Sequence, residues 1–310
     1  MFQGSDVMLK YYLNELGYPL VPEFLIKYLN TPSLLRLKWI GYFCGMDYAS
    51  KDIYDFSEYI SRYDHSLAVS LIVYKLTKNK KAALAGLFHD IATPCFSHVI
   101  DYMNKDYEKQ ESTEEYTADI LLKDEYLKKC LEEDNIDINE IINFKKYTIV
   151  DNERPKLCAD RLDGVILTGI GWTKNISRDD IKDIVQNIHI FVNEDKELEI
   201  GFSSYEVAMR VFEISEKINE YCHSNEDNYM MQLLADITKL AIDKKYIMYQ
   251  ELFSLNEKEL LELLKKKNDD KLKSLLFQFE NIKKDEIPEI EIPKLKVRKI
   301  NPLILGKRIN

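Results

Sequence analysis

The sequence predicts a mainly α-helical protein with a small β accessory, on three observations. Gly and Pro are scarce, 10 and 8 in 310 residues, which favours long helices over many turns. Apolar residues recur at helical spacing through most of the chain. Alternation with a period of two is confined to residues 188–202 and the stretch beyond Ile287.

The elements follow in order. Residues 21–29 and 33–44 form two helical pieces separated by Asn30-Thr31-Pro32, where a Pro near a helix start removes only an N–H that has no partner anyway. Residues 64–76 carry Leu67, Val69, Leu71, Ile72 and Leu76 and are expected to be helical. Residues 81–91 follow, apolar from Ala82 to Phe88 and broken by Thr93-Pro94, and residues 97–104 begin another turn. Residues 111–122 and 124–133 are amphipathic. A further helix is expected over 155–167, with Arg154 and Lys156 at its start. In 188–202, Ile188, Ile190 and Val192 alternate, Asn193-Glu194-Asp195-Lys196 punctuates, and Leu198, Ile200 and Phe202 alternate again, the pattern of a hairpin. Residues 205–221 and 229–244 return to helical spacing, and 265–273 is a charge-rich connector between two short helices. From Ile287 onward, Pro288 and Pro293 confine an alternating segment to an edge strand or an extended arm. Such an arm could add a strand to a partner's sheet or pack on its own chain. The expected division is a helical core with the chemistry over 1–185 and accessory helices, hairpin and arm over 186–310.

Composition narrows the function. The formal net charge is -10, which disfavours long nucleic acid held by a basic surface through release of counterions. A small anion held by a metal and a local Arg is compatible with it. The five Cys are scattered without CxxC spacing, as expected of free thiols in a reducing compartment. There is no apolar run of about 18 residues to span a membrane, and the N-terminus lacks the pattern of a signal peptide. The expectation is a cytoplasmic protein without a membrane segment.

The chemistry centres on His89-Asp90, at the end of the apolar helix. An imidazole and a carboxylate placed there can turn toward one point. His65 lies 24 residues upstream at the start of another helix, and Asp160 sits in a third. Two imidazoles and two carboxylates suit Mn, Fe, Co, Ni or Zn better than Ca, with Mg as a further candidate. The competing explanation of any one of these His is a core residue satisfied by a single hydrogen bond. Ligands on several rigid helices are nevertheless what converging metal geometry requires.

The order His65, His89-Asp90, Asp160 resembles the H…HD…D pattern of the HD-domain phosphohydrolase superfamily. Further blocks resemble its dNTP triphosphohydrolase branch, which includes the mammalian SAM-and-HD-domain enzyme. They are residues 30–37 (Asn30-Thr31-Pro32-Ser33-Leu34-Leu35-Arg36-Leu37), 62–67 beginning at Arg62, 89–98 ending at His98, and 158–163 containing Asp160-Arg161. The resemblance covers about residues 20–280. It implies an HD-domain helical core, with His65, His89, Asp90 and Asp160 as metal ligands. A bound cation would lower the pKa of a water and polarise a phosphoryl oxygen. It further implies Arg62 and Arg161 as phosphate contacts, through the planar fork that suits paired phosphate oxygens. His98 would stand near the reacting phosphate, with Asp101 on the same helical face to hold its other ring nitrogen. The implied partner is a small phosphate-containing substrate, a nucleotide, and the implied state is a homo-oligomer. The bland alternatives are a surface ion pair of Arg62 with Asp64, pairing of Arg161 with Asp160 or Asp163, and a plain helix turn at His98-Asp101.

Departures from the branch are specific. Thr93 and Thr113 stand where the active enzymes have His, and Thr cannot transfer a proton near neutral pH as imidazole can. Glu111 or Glu114 could substitute as acid or base, or be solvated helix charges. Tyr42, Gly164 and Thr168 replace a Gln, a Tyr and an Asp that read the sugar. The helix over 212–221 carries Glu213, Glu216, Lys217 and Glu220 where the family has phosphate-binding Arg, and acidic surroundings would repel a polyphosphate. The leading expectation is a metal-dependent phosphohydrolase acting on a nucleotide or related small phosphate ester. The alternatives are a non-catalytic HD-fold ligand-binding or assembly protein that keeps the metal site, and a helical scaffold without metal.

Overall fold

The computed structural model describes residues 8–108 and 116–308. Among these, fifteen α-helices surround one continuous apolar core that runs from Tyr12 to Ile300, and four short strands lie to one side. The mainly helical architecture with a small hairpin follows the expectation.

The helix Arg62–Thr77 is the centre. Ser61 and Asp64 cap its start reciprocally, each side chain bonding the other's backbone N–H, and Lys78 ends it in a left-handed conformation. This is the capping box that satisfies orphan amides. Ten of its sixteen residues are buried, on all sides, so it is a core helix without a solvent stripe. The helix Lys80–Phe88 packs along it, with Ala82 to Phe88 all buried. On another side lies the helix Ala159–Gly171. These three helices deliver the candidate metal donors.

Two expected helices differ from those observed. The helix expected over 33–44 stops early: Pro32–Arg36 passes into a 3₁₀ turn, Leu37–Trp39, and the chain then runs extended. Its backbone is taken by the segment before the central helix, since Tyr42 N donates to Ile60 O at 2.9 Å and Arg62 N donates to Ile40 O at 2.9 Å. The helix expected over 155–167 starts four residues later. Leu157 is held by a strand, donating to Glu199 Oε1 at 3.0 Å and accepting from Ile200 N at 3.2 Å, so its peptide cannot be helical.

The hairpin comprises β1 (Ile188–Val192) and β2 (Leu198–Phe202), antiparallel with Ile190 opposite Ile200. The C-terminal arm packs on its own chain. After Pro288 and Pro293 it runs without strand pairing, then adds β3 (Leu303–Ile304), parallel to β2, and β4 (Lys307–Arg308), antiparallel to β3. Arg308 ends the sheet with a two-pronged ion pair to the buried Glu199, at 2.6 and 2.7 Å.

Candidate metal centre

The four expected donors converge. His65 Nε2 lies 3.2 Å from His89 Nε2 and 3.1 Å from Asp160 Oδ1, and His89 Nε2 lies 3.5 Å from the same oxygen. Asp90 offers Oδ2 at 3.7 Å from His65 Nε2 and Oδ1 at 3.7 Å from His89 Nε2. Metal–nitrogen bonds of about 2.1 Å put neighbouring ligand atoms about 3.0–3.4 Å apart, so the set has the spacing of a coordination shell.

The outer hydrogen bonds make the case stronger. His89 Nδ1 lies 2.7 Å from the Gly86 carbonyl, which can only accept, so Nδ1 carries the hydrogen. His65 Nδ1 donates to Asp163 Oδ2 at 2.6 Å, and Tyr12 Oη donates to the other oxygen of Asp163 at 2.6 Å. In their neutral forms both imidazoles turn an Nε2 lone pair toward the carboxylate oxygens of Asp90 and Asp160. Four acceptors facing one another are mutually repulsive, and positive charge, as protons on the imidazoles or as a metal ion in their place, resolves the conflict. The carboxylate–imidazole and carbonyl–imidazole pairs are the usual supports of metal-ligating His.

Protons respond to the same field. Burial opposes charge on His65, but hydrogen bonds to Asp160 and Asp163 outweigh it and lift the imidazole to about 10. His89 is also raised, because the Asp90 and Asp160 charges overcome burial. Burial works against ionisation of Asp90, yet His89, Arg62 and His65 hold it down at about 2.

Arg62 is buried rather than paired with Asp64 on the surface. Its Nη1 donates to Asp90 Oδ2 at 2.9 Å, its guanidinium lies 4.8 Å from the centre of the Tyr42 ring, and its Nε is buried without a hydrogen-bond partner among the described residues. His98 and Asp101 also meet, with Nδ1 and Oδ2 2.9 Å apart. Burial lowers the His98 pKa; Asp101 opposes this, while the Arg298 and Arg62 charges add to it. Arg161 lines the same cavity, but its guanidinium is gathered into the loop before its helix. It donates to Asn152 Oδ1 at 2.8 Å, to Asp151 Oδ1 at 3.0 Å, and to the carbonyls of Lys156 and Asn152. Asp151, Cys158 and Asp160 could also share a cation, but the Arg161 charge already lies against Asp151. Glu111 and Glu114, with Thr113, lie outside the described residues.

The cavity measures about 1080 Å³ and is lined by Asp90, Asp160 and an aromatic cluster. There Phe43 and Phe56 stack at 4.4 Å, with Trp172 edge-on. Thr93, whose carbonyl accepts from Arg36, lies on its wall. Tyr42 and Gly164 meet on this wall. A Cβ at residue 164 would sit 3.0 Å from Tyr42 Oη, so the phenol occupies room that a side chain at 164 would need.

The helix Tyr205–Cys222 corrects another expectation. It turns Ser215, Ile218 and Cys222 to the cavity, not its acids. Glu213 faces Arg210 at 3.6 Å, Glu220 pairs with Lys217 at 2.8 Å, and Glu216 meets Lys299 of the arm at 3.3 Å.

Four contributors escaped the sequence reading. Asp163 follows Asp160 by one helical turn, a spacing that could have marked it as the support of a ligand. Arg154 was read only as a helix start, and Glu257 and Arg298 had no such signal, because only tertiary folding brings Arg298 to the cavity and Glu257 to the segments at Gly41 and Phe96.

Comparison with known proteins comes to the same place. The HD-domain family model matches residues 62–163, a span that opens on Arg62 and closes on Asp163. Over 249 residues the chain is 23% identical to the uncharacterized protein YdhJ of Bacillus subtilis, covering 79% of this chain and 74% of that protein. Over 133 residues it is 26% identical to the metal-dependent phosphohydrolase cns2 of Cordyceps militaris, covering 43% of this chain and 37% of that protein.

Proposed function

We propose that this HD-domain chain is a metal-dependent phosphohydrolase acting on a small phosphate ester, with a nucleotide as the preferred class and an architecture like that of the dNTP triphosphohydrolases. The observation that carries the reading is the convergence of His65, His89, Asp90 and Asp160 with both imidazoles locked in the tautomer that presents Nε2. When bound there, a divalent transition metal or Mg supplies Lewis acidity toward a phosphoryl oxygen and makes a water more acidic.

The chain's own groups do the rest. Arg62, fixed between Asp90 and the Tyr42 ring, keeps positive charge where charge grows on the phosphoryl oxygens. Asp101 holds His98 by Nδ1, leaving Nε2 as an acceptor on an imidazole whose pKa is lowered. Such a group orients a water and takes its proton more readily than it donates one. Arg161 acts indirectly, shaping the loop at 151–156 that borders the cavity. The stacked Phe43 and Phe56 and the nearby Trp172 offer apolar faces suited to a planar base.

The test is turnover of nucleoside mono-, di- and triphosphates with Mn²⁺ or Co²⁺. Activity abolished by Asp90→Ala is expected, and absence of turnover on every phosphate ester tried would overturn the reading.

A second reading rests on Thr93 and Thr113 in place of two imidazoles. In it the site binds a nucleotide without hydrolysing it. Calorimetric binding with no product over hours would favour this reading, and robust turnover would rule it out.

A further inference from the structure

An acidic side chain in the first turn of a helix, three residues after the capping residue, ordinarily reaches back to that residue's amide. Asp227 holds this position in the helix Asn225–Asp243, capped by Ser224, whose Oγ accepts from Asp227 N at 3.2 Å. The carboxylate does not return the bond, and Ser224 N donates instead to Tyr221 O at 3.1 Å. Asp227 lines the cavity, where its Oδ1 accepts from Tyr54 Oη at 2.7 Å. The other oxygen, Oδ2, makes no hydrogen bond or ion pair among the described residues. Burial pushes the carboxyl up to about 7, against the Tyr54 hydrogen bond and the Arg298 charge. A carboxylate fixed in this way, with one oxygen unspent, gains most from a donor that a ligand brings.

A row of rings joins this carboxylate to the metal centre. The Arg62 guanidinium, bonded to Asp90, lies 4.8 Å from the centre of the Tyr42 ring. From Tyr42 the ring centres step to Phe43 at 5.6 Å, to Phe56 at 4.4 Å and to Tyr54 at 5.4 Å, and the Tyr54 hydroxyl meets Asp227. All four rings line the cavity. Phe43 and Phe56 lie 6° from parallel, and Phe56 and Tyr54 23°. An ester held by its phosphate at the metal centre and laid along these rings brings its other end toward Asp227. The rings receive a flat apolar face. An ionised carboxylate accepts and never donates, so it welcomes an amino group at the edge of that face. A keto oxygen in the same place meets like charge.

We propose that Asp227, positioned by Tyr54, is a specificity-determining residue that accepts a hydrogen bond from an amino group on the planar ring of the substrate. Amino-bearing bases are then taken in preference to their keto or unsubstituted counterparts. The inference rests on the phosphohydrolase reading with a nucleotide as the ester. Adenine, cytosine and guanine share the amino chemistry, and the arms of the test tell them apart. Asp227 selects the ester and takes no part in bond cleavage.

The test compares matched nucleotides that differ by one amino group: AMP with purine riboside monophosphate, CMP with UMP, GMP with IMP, and the corresponding triphosphates. The full chain is used with Mn²⁺ at pH 8, above the value of about 7 at which Asp227 titrates. The kcat/KM ratio within each pair is the readout. In at least one pair the amino-bearing member is expected to be favoured about tenfold or more, the worth of one hydrogen bond to a charged acceptor. The pair that shows it identifies the base. Asp227→Asn keeps the size of the side chain and an oxygen for Tyr54, so it separates lost charge from lost folding. It is expected to cancel or reverse the preference, because its amide can donate to a keto oxygen, with Mn²⁺ content within about twofold of the parent, as a site remote from the metal requires. Tyr54→Phe loosens the carboxylate and should weaken the preference without reversing it. Turnover with no preference above about twofold in any pair overturns the role of Asp227 alone, as does a preference that Asp227→Asn leaves unchanged. No turnover of any nucleotide overturns the phosphohydrolase reading. The same pairs are then compared by calorimetry, where an amino preference lost in Asp227→Asn sustains the selecting role in a binding site and its absence overturns that role too.

Discussion

Asp163 occupies none of the donor positions, yet it decides how His65 presents itself. It is fully buried between His65 Nδ1 and Tyr12 Oη, both at 2.6 Å. Asp163→Asn keeps an oxygen but loses the charge, and metal affinity is expected to fall about 10- to 100-fold, the usual cost of losing such an outer partner. Competition with a chelator measures it, and unchanged affinity would refute the tautomer argument. Tyr12→Phe removes only the hydroxyl; a loss of about 1 kcal/mol in urea unfolding is expected, with a smaller effect on metal. The imidazoles yield a second expectation. His65 is raised to about 10 and His89 is raised as well, whereas Asp90 sits near 2. At pH 7 a cation must therefore displace a proton from His65 and none from Asp90, so affinity should climb with pH. Calorimetry of metal binding in buffers of different ionisation enthalpy reads the number released. No proton release at pH 7 would contradict the assignment.

At the scale of elements, the segment 93–98 shows what a sequence conceals. Phe96 and Ser97 both take left-handed conformations, uncommon for such residues. They hold because a distant part of the chain binds their neighbours. Cys95 N donates to Leu252 O at 2.8 Å, Phe96 N donates to Glu257 Oε1 at 3.1 Å, and Glu257 Oε2 takes Gly41 N at 3.0 Å. Glu257, at the start of the helix Glu257–Lys265, thus braces the segments leading to His98 and Tyr42 at once. Burial, and then the charge of Asp47, raise Glu257 from its ordinary 4.5 to about 8. Between those values the folded chain holds more protons than the unfolded one. The stability from this group is full below 4.5 and lost as pH rises through about 8. Glu257→Gln should lower stability at pH 5 by about 1–2 kcal/mol, through one mismatched hydrogen bond. It should also flatten the decline between pH 6 and 9. Urea midpoints across that range test both, and an unchanged slope would place the titration elsewhere. The donors His65, His89, Asp90 and Asp160 were legible because local helical context and motif order announce them. The brace at Glu257 was not, since 161 residues separate it from Phe96. The helix expected over 155–167 failed for a related reason: Leu157 is claimed by β2, and no local propensity reports that.

For the whole molecule, the candidate centre joins three helices whose donors span residues 65 to 160, and Tyr12 extends the connection to the helix Met8–Glu15. A ligand bound only by the folded state raises stability by mass action, about 2.7 kcal/mol at a hundredfold excess over Kd. Chelation should therefore lower the melting temperature, and Mn²⁺ or Zn²⁺ should restore it. The same dose applied to His65→Ala should do little. Equal shifts in parent and variant would point to a metal bound elsewhere. No helix among the described residues is long and apolar enough to cross a membrane. The bond between Tyr12 and Asp163, which closes a span of 151 residues, bears on kinetics. Joining so distant a pair is entropically expensive until the intervening core is in place, so the centre belongs to the late side of the folding barrier. Interactions made after the barrier slow unfolding and leave the folding rate nearly unchanged. Metal should thus lengthen the lifetime of the native state against proteolysis and heat without hastening its formation.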